Sequence, residues 1–283
     1  LLGALAVGGL KTFGLLPLPA AHRLGRWVGR GAWYLAKGGR AVTEQNIALC
    51  FPELTAKERA RLAKESIFET SATALEIASA WGQKPGRMLK YISHVENEAL
   101  MTAALAKEKG VVLIAPHFGQ WELANFYAAK HFPLVVMYKP VSLPAVERLV
   151  LSSRSRDSEM VAADRKGVMA LFNALSQGKV VGVLPDQEPT VATGVWAPFF
   201  GVSALTPKLI SRMVLKSGAR ALGYGCQRNP DGKGYHIFYE PVDEALYSDD
   251  LEASATALNA CIERIIRRDP AQYQWEYKRF KRR

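Results

Sequence analysis

The feature that most constrains this chain is the stretch 110–125, GVVLIAPHFGQWELAN. Val111, Val112, Leu113, Ile114 and Ala115 make a short unbroken apolar run behind Gly110. A run of that length, rich in β-branched residues, reads as a buried strand. Pro116 stops it, His117 sits at its exit, and Gly119 permits a sharp turn. Residues 120–130 then have helical composition, with Leu123, Phe126 and Tyr127 on one stripe. In α/β sheets, ligands bind where strands break into such turns. The spacing lets Glu122, in the first helical turn, reach back to His117. A carboxylate holding one ring nitrogen, with the other free to take a proton, is a base–orienter pair. The plain alternative is an ordinary surface pair.

The rest of the chain supports an α/β fold with a central, mainly parallel mixed sheet flanked by helices. Strands are expected at 91–95, 111–115, 132–138, 180–184, 219–226 and 235–240, the last two around an Asn-Pro-Asp-Gly turn and antiparallel. Between them, helices are expected at 96–108, 120–130, 143–153, 167–177 and 206–216, with a final one at 251–268. Ahead of the sheet, a short helix ends near Phe51-Pro52. Thr55-Ala-Lys-Glu58 then fits a capping box that opens a long helix to about residue 81.

Residues 1–21 are almost wholly apolar, interrupted by Lys11, and Arg23, Arg26, Arg30, Lys37 and Arg40 follow among Trp27, Trp33 and Tyr34. That pattern reads as a membrane-anchoring or interfacial segment over 1–40, with its following side cytoplasmic. The alternative is a buried helical hairpin of the fold. The chain opens on Leu1 rather than Met, so a trimmed start is expected.

The net charge of +11 calls for an acidic partner: nucleic acid, anionic membrane, or an acidic protein or substrate. No nucleic-acid motif accompanies the charge, so a basic nucleic-acid-binding module is the distant reading. Cys50, Cys226 and Cys261 are far apart, with no CxxC, and the five histidines are scattered, with no HExxH. Neither a disulfide framework nor a metal is expected. There is also no GxSxG, GxxxxGK[ST] or GxGxxG.

Four further positions carry chemistry. Arg154 and Arg156 follow a helix and suit phosphate through their planar forks, or belong to a solvated charged loop with Asp157 and Glu159. Asp186 and Gln187 stand at the end of the 180–184 strand, as His117 does at the end of its own; an Asp after Pro is also a turn former.

Taken together, HFGQWEL at 117–123, Asn46 with FPE at 51–53, VLPDQEP at 183–189, WAPFFG at 196–201 and DPAQYQW at 269–275 resemble the bacterial late acyltransferases of lipid A biosynthesis. In this family His-x4-Asp/Glu is the glycerolipid-acyltransferase block. The ordered blocks cover the chain from about residue 41 to its end, which the resemblance makes the acyltransferase domain, 41–283. It implies an O-acyltransferase with His117 as base and Glu122 as its orienter. Arg154 or Arg156, with Asp186 and Gln187, would bind substrate. Phe199 and Phe200 would be core residues or line an acyl pocket. No cofactor or metal is implied. The co-substrate would be an acyl-carrier-protein thioester and the acceptor a phosphorylated glycolipid, at the cytoplasmic face of a bacterial inner membrane. Residues 278–283 would face anionic membrane or carrier. A lysophospholipid or another glycolipid is the alternative acceptor.

Overall fold

The computed structural model describes residues 2–82, 85–154, 158–230 and 233–281. Helices α1 (Leu2–Phe13), α2 (Leu18–Leu35), α3 (Lys37–Cys50), α4 (Ala56–Gly82) and α5 (Pro85–Leu89) precede the first strand. There follow β1 (Ile92–Glu96), α6 (Glu98–Leu105), β2 (Val111–Ile114), α7 (Trp121–His131), β3 (Leu134–Tyr138), α8 (Pro144–Arg154), β4 (Glu159–Ala162), α9 (Arg165–Ser176) and β5 (Val180–Val183). The chain continues through β6 (Gly194–Phe199), β7 (Val202–Pro207), α10 (Leu209–Ser217), β8 (Arg220–Arg228), β9 (Tyr235–Glu240) and α11 (Leu251–Arg268).

Seven strands form one sheet in the order β1-β9-β8-β2-β5-β3-β4. Every pairing is parallel except β8–β9, which is antiparallel across the expected turn. Strand β2 lies at the centre, and its residues are divided between two cores as a strand period of two requires. Val112 and Ile114 pack with Leu171, Ile262 and Ile266 on one face. Val111 and Leu113 pack with Leu123, Phe126 and Tyr224 on the other. An apolar run buried on both faces is the mark of an inner strand of a parallel sheet covered by helices.

Two elements differ from the sequence expectation. Strand β4 extends the sheet edge where a charged loop was equally expected, and residues 194–207 form a separate antiparallel hairpin, β6–β7, which shortens the following helix at its start. The hairpin turns at Phe200 (φ 50°) and Gly201 (φ 73°). Two successive left-handed residues match the right-handed twist of hairpin strands. A bulky residue at positive φ is strained, and burial of the Phe200 ring against Phe51 and Trp275 offsets that cost.

Helices α1 and α2, within the segment read as an anchor, pack on α4, and α2 does so most closely. A Cβ on Gly25 would lie 2.3 Å from the Cα of Ala72, and one on Gly29 2.8 Å from the Cα of Phe68. The two helices therefore touch backbone to backbone. Charges lock the contact: Arg26 bonds Glu65 and Glu69, and His22 Nδ1 lies 2.9 Å from Glu76. No helix among the described residues is long and apolar enough to cross a membrane. The 12 residues of α1 span only about 18 Å, against about 30 Å of bilayer hydrocarbon.

Gly25→Ala tests this packing. Helix propensity alone favours the substitution by about 1 kcal/mol. The clash with backbone that cannot rotate away should override it, with a net loss of about 1–3 kcal/mol in urea unfolding. A stabilised variant would show that α2 does not sit this close to α4.

Candidate active site

The central strand pair aligns the site. Ile114 of β2 lies opposite Val183 of β5. Three residues beyond each, the two chains emerge at the same sheet end, and there His117 meets Asp186. His117 Nδ1 donates to Asp186 Oδ1 at 2.9 Å, and the His117 backbone N–H donates to Asp186 Oδ2, also at 2.9 Å. One carboxylate thus grips both ring and backbone. The ring is left as the tautomer with a bare Nε2. Burial works to lower the His117 pKa, but the charge and hydrogen bond of Asp186 more than offset it and raise the pKa above its ordinary 6.5. Burial likewise opposes ionisation of Asp186, which is 3% exposed, yet His117 holds its pKa below the ordinary value.

The turn between β2 and α7 is cinched from two sides. Gly119 N–H donates to the Gln272 carbonyl and Gln120 N–H to the Cys226 carbonyl. Gln274 N–H donates to the His117 carbonyl, so the segment after α11 braces the turn. This segment also brings in Tyr273, which sequence reading did not single out. Its hydroxyl is buried and faces Asp186, and burial and then that negative charge push its pKa well above 10.

Glu122 does not hold His117. Its carboxylate, on a residue 1% exposed, accepts from Arg154 Nε at 3.0 Å, from Arg154 Nη2, and from Trp81 Nε1 at 3.1 Å. The carboxylate bonded to the His117 ring is therefore Asp186 rather than the expected Glu122, which instead pairs with Arg154. Helix geometry explains the exchange. Glu122 occupies the first turn of α7 and points to α4 and α8, whose side chains meet it there. Arg154 is correspondingly a largely buried cation with a carboxylate partner, not part of a solvated charged loop. Arg156 lies outside the described residues.

His117, Glu122, Arg154 and Gln187 all border one cavity of about 420 Å³. Its walls run between α7 and the sheet and are mostly apolar, with Leu113, Ala124, Ala128, Leu134, Val136 and Gly182 among them. Asn125 also lines this space, and its side-chain amide is buried with no protein partner among the described residues. Phe199 and Phe200 are not part of this lining. They pack in the core with Phe51, Trp275 and Phe280. The closing basic run is also partly internal. Arg279, 3% exposed, donates to the Leu205 carbonyl and to Thr206 Oγ1, while Arg282 and Arg283 lie outside the described residues.

A carboxylate-held imidazole at the strand ends of an α/β sheet, opening on a mainly apolar cavity, suits proton abstraction from a substrate that carries a long apolar group. The family described as bacterial lipid A biosynthesis acyltransferase matches residues 2–282, and the chain belongs to this family. It is 29% identical to the lipid A biosynthesis lauroyltransferase of Escherichia coli (strain K12), over 99% of this chain and 91% of that protein. The lipid A biosynthesis palmitoleoyltransferase of the same organism is also 29% identical, over 95% of this chain and 87% of its own length. The corresponding myristoyltransferase is 25% identical, over 94% and 81%.

The two carboxylates are separable by experiment. In Asp186→Asn the His117 ring should titrate at lower pH than in the wild type, read by NMR, because the charge that raises its pKa is gone while burial remains. Glu122→Gln should leave the His117 titration much closer to wild type. It should instead cost about 3–5 kcal/mol in chemical unfolding, because the Arg154 cation is stranded. A large fall in His117 pKa in the Glu122 variant would restore Glu122 as the orienter.

Proposed function

We propose that this chain moves a fatty acyl group from an acyl-carrier-protein thioester to a hydroxyl of a phosphorylated lipid A precursor, with His117 as general base and Asp186 as its orienter. The observation that carries this reading is the His117–Asp186 pair at the lip of the apolar cavity. The acceptor hydroxyl gives its proton to His117 Nε2 as its oxygen attacks the thioester carbonyl. Asp186 stabilises the imidazolium that forms. When the carbon–sulfur bond breaks, the imidazolium returns the proton to the leaving thiolate. The acyl chain lies in the cavity between α7 and the sheet. Arg154, already balanced by Glu122, shapes the cavity wall and keeps its donors oriented rather than serving as an isolated phosphate ligand.

Transfer is direct, without an acyl-enzyme. All three cysteines are buried, and burial raises their thiol pKa, to about 12 for Cys261. Only thiolates are good nucleophiles, so these thiols are inert at neutral pH.

The membrane contact proposed is interfacial. One face of α2 exposes Leu24, Trp27, Val28 and Leu35, with Tyr34 beside them and Arg23 and Arg30 at the margins. The Arg30 guanidinium stacks over the Trp27 ring at 4.4 Å. Aromatic and aliphatic side chains flanked by arginines suit the headgroup layer of an anionic leaflet, the cytoplasmic leaflet of the inner membrane in this reading.

Mass spectrometry of a lipid A precursor incubated with the protein and acyl-carrier-protein thioesters should show one added acyl chain. His117→Ala should lower the rate by about 10²–10⁴. In the wild type the acid limb of kcat/KM should lie above pH 6.5, the ordinary value for the base, and should move to lower pH in Asp186→Asn. A lysophospholipid acylated in place of the lipid A precursor would reassign the acceptor. An acyl adduct trapped on a cysteine during turnover would overturn direct transfer.

A further inference from the structure

At the far edge of the sheet, two of the scattered histidines come together. Strand β1 is the edge strand and pairs parallel with β9, with His94 opposite His236. The two imidazoles stack at 4.8 Å between centroids, 8° from parallel. Glu96, two residues along β1, lies on the same face as His94. One ligand atom from each of the three residues falls within 4.8 Å of the others.

The surrounding hydrogen bonds determine which nitrogen of each ring is free. Ser93 Oγ gives its only proton to the Tyr235 carbonyl at 2.9 Å. It has only lone pairs left for its other neighbours. It accepts from Asn229 Nδ2 at 3.1 Å, and His94 Nδ1, 3.2 Å away, must carry a proton to bond it. With the Asn229 amide nitrogen turned to Ser93, its Oδ1 faces His236 Nδ1 at 3.1 Å, so this nitrogen carries a proton too. Both rings therefore present bare Nε2 lone pairs. Glu96 is held by Arg268, which donates at 3.2 Å and 2.5 Å and also bonds Glu240. A carboxylate has about four lone-pair sites, so two remain for another partner.

We propose that His94 Nε2, His236 Nε2 and a Glu96 oxygen bind a divalent late first-row transition metal of the zinc type, with water completing the coordination. Imidazole nitrogens select such metals over Mg²⁺ or Ca²⁺, which prefer all-oxygen sites. Imidazole N–H groups bonded to a hydroxyl and an amide are the outer contacts that orient metal-binding histidines. The metal would clip the edge strand β1 to β9. Two strands, β9 and β8, separate β1 from β2 and its catalytic turn, so the site is distinct from the cavity.

Titration of the full chain with ZnCl₂, followed by calorimetry and thermal unfolding, tests this. Saturable binding of one equivalent and a rise in Tm are expected, with no response to MgCl₂. His94 is exposed on an edge strand, so His94→Ala should fold normally by circular dichroism and weaken Zn²⁺ binding at least tenfold. Asn229→Ala, which removes only an orienting contact, should weaken it by about tenfold. Failure of the wild type to bind Zn²⁺ tighter than millimolar would overturn the proposal. Binding and Tm shift undiminished in the His94→Ala/His236→Ala double variant would do the same.

Discussion

The site depends on a turn that has no room for a side chain. At Gly119 the backbone is left-handed, with φ +55°, and a Cβ there would lie 2.1 Å from the Cys226 carbonyl oxygen. Only glycine can let β8 approach so closely. The approach allows Gly119 and Gln120 to donate to the C-terminal segment and to β8, and these bonds set where His117 leaves β2. His117 then reaches Asp186 because β2 and β5 are hydrogen-bonded neighbours in matched register. Preorganisation of this kind holds the imidazole and the carboxylate aligned without further reorganisation.

Behind the turn lies a network of buried charge. Arg228, on β8, bonds Glu76 through Nε at 2.9 Å and Nη2 at 2.6 Å, and reaches Glu69 and Thr73 as well. Burial penalises ionisation of Glu76, yet Arg228 and His22 together lower its pKa to about 2. Buried pairs of this kind contribute less to net stability than to specificity, because desolvation consumes much of their attraction. Here they tie α4 and α2 to the strand that cinches the His117 turn. Helix α2 consequently has two duties. Its glycine and charged face belongs to the fold, and its aromatic face is left outward.

The neighbouring carboxylates Glu122 and Asp186 divide the work by position. Asp186 stands at a strand end, beside the imidazole. Glu122 stands on a helix that faces α4 and α8, where Trp81 and the Arg154 cation donate to it. Both are nearly inaccessible, and each accepts hydrogen bonds from its own set of donors, as buried carboxylate oxygens require. The C-terminal segment adds Tyr273 to the Asp186 side. The candidate site is thus assembled from β2, β5 and the segment after α11, which lie far apart in sequence.

Much of this was legible in the residues. The apolar run with Pro116 and Gly119 behind it identified the central strand, the turn and His117, because β burial and glycine permissiveness are local properties. The alternation of strands and helices announced the mainly parallel sheet, and Asp186 stood out, like His117, as a polar residue at a strand end. Tertiary structure alone decided the partners. Which carboxylate meets His117 depends on β2 lying beside β5, a pairing that no local pattern encodes. The positions of Phe199 and Phe200 in the core, of Arg279 beneath β7 and of Arg154 against Glu122 depend on helices and hairpins folding back over long separations. The same holds for His94 and His236, which are 142 residues apart in the chain and adjacent only because β1 pairs with β9. Local sequence sets which backbone conformations are affordable, whereas strand order, determined by how the whole chain buries its apolar faces, sets which side chains meet.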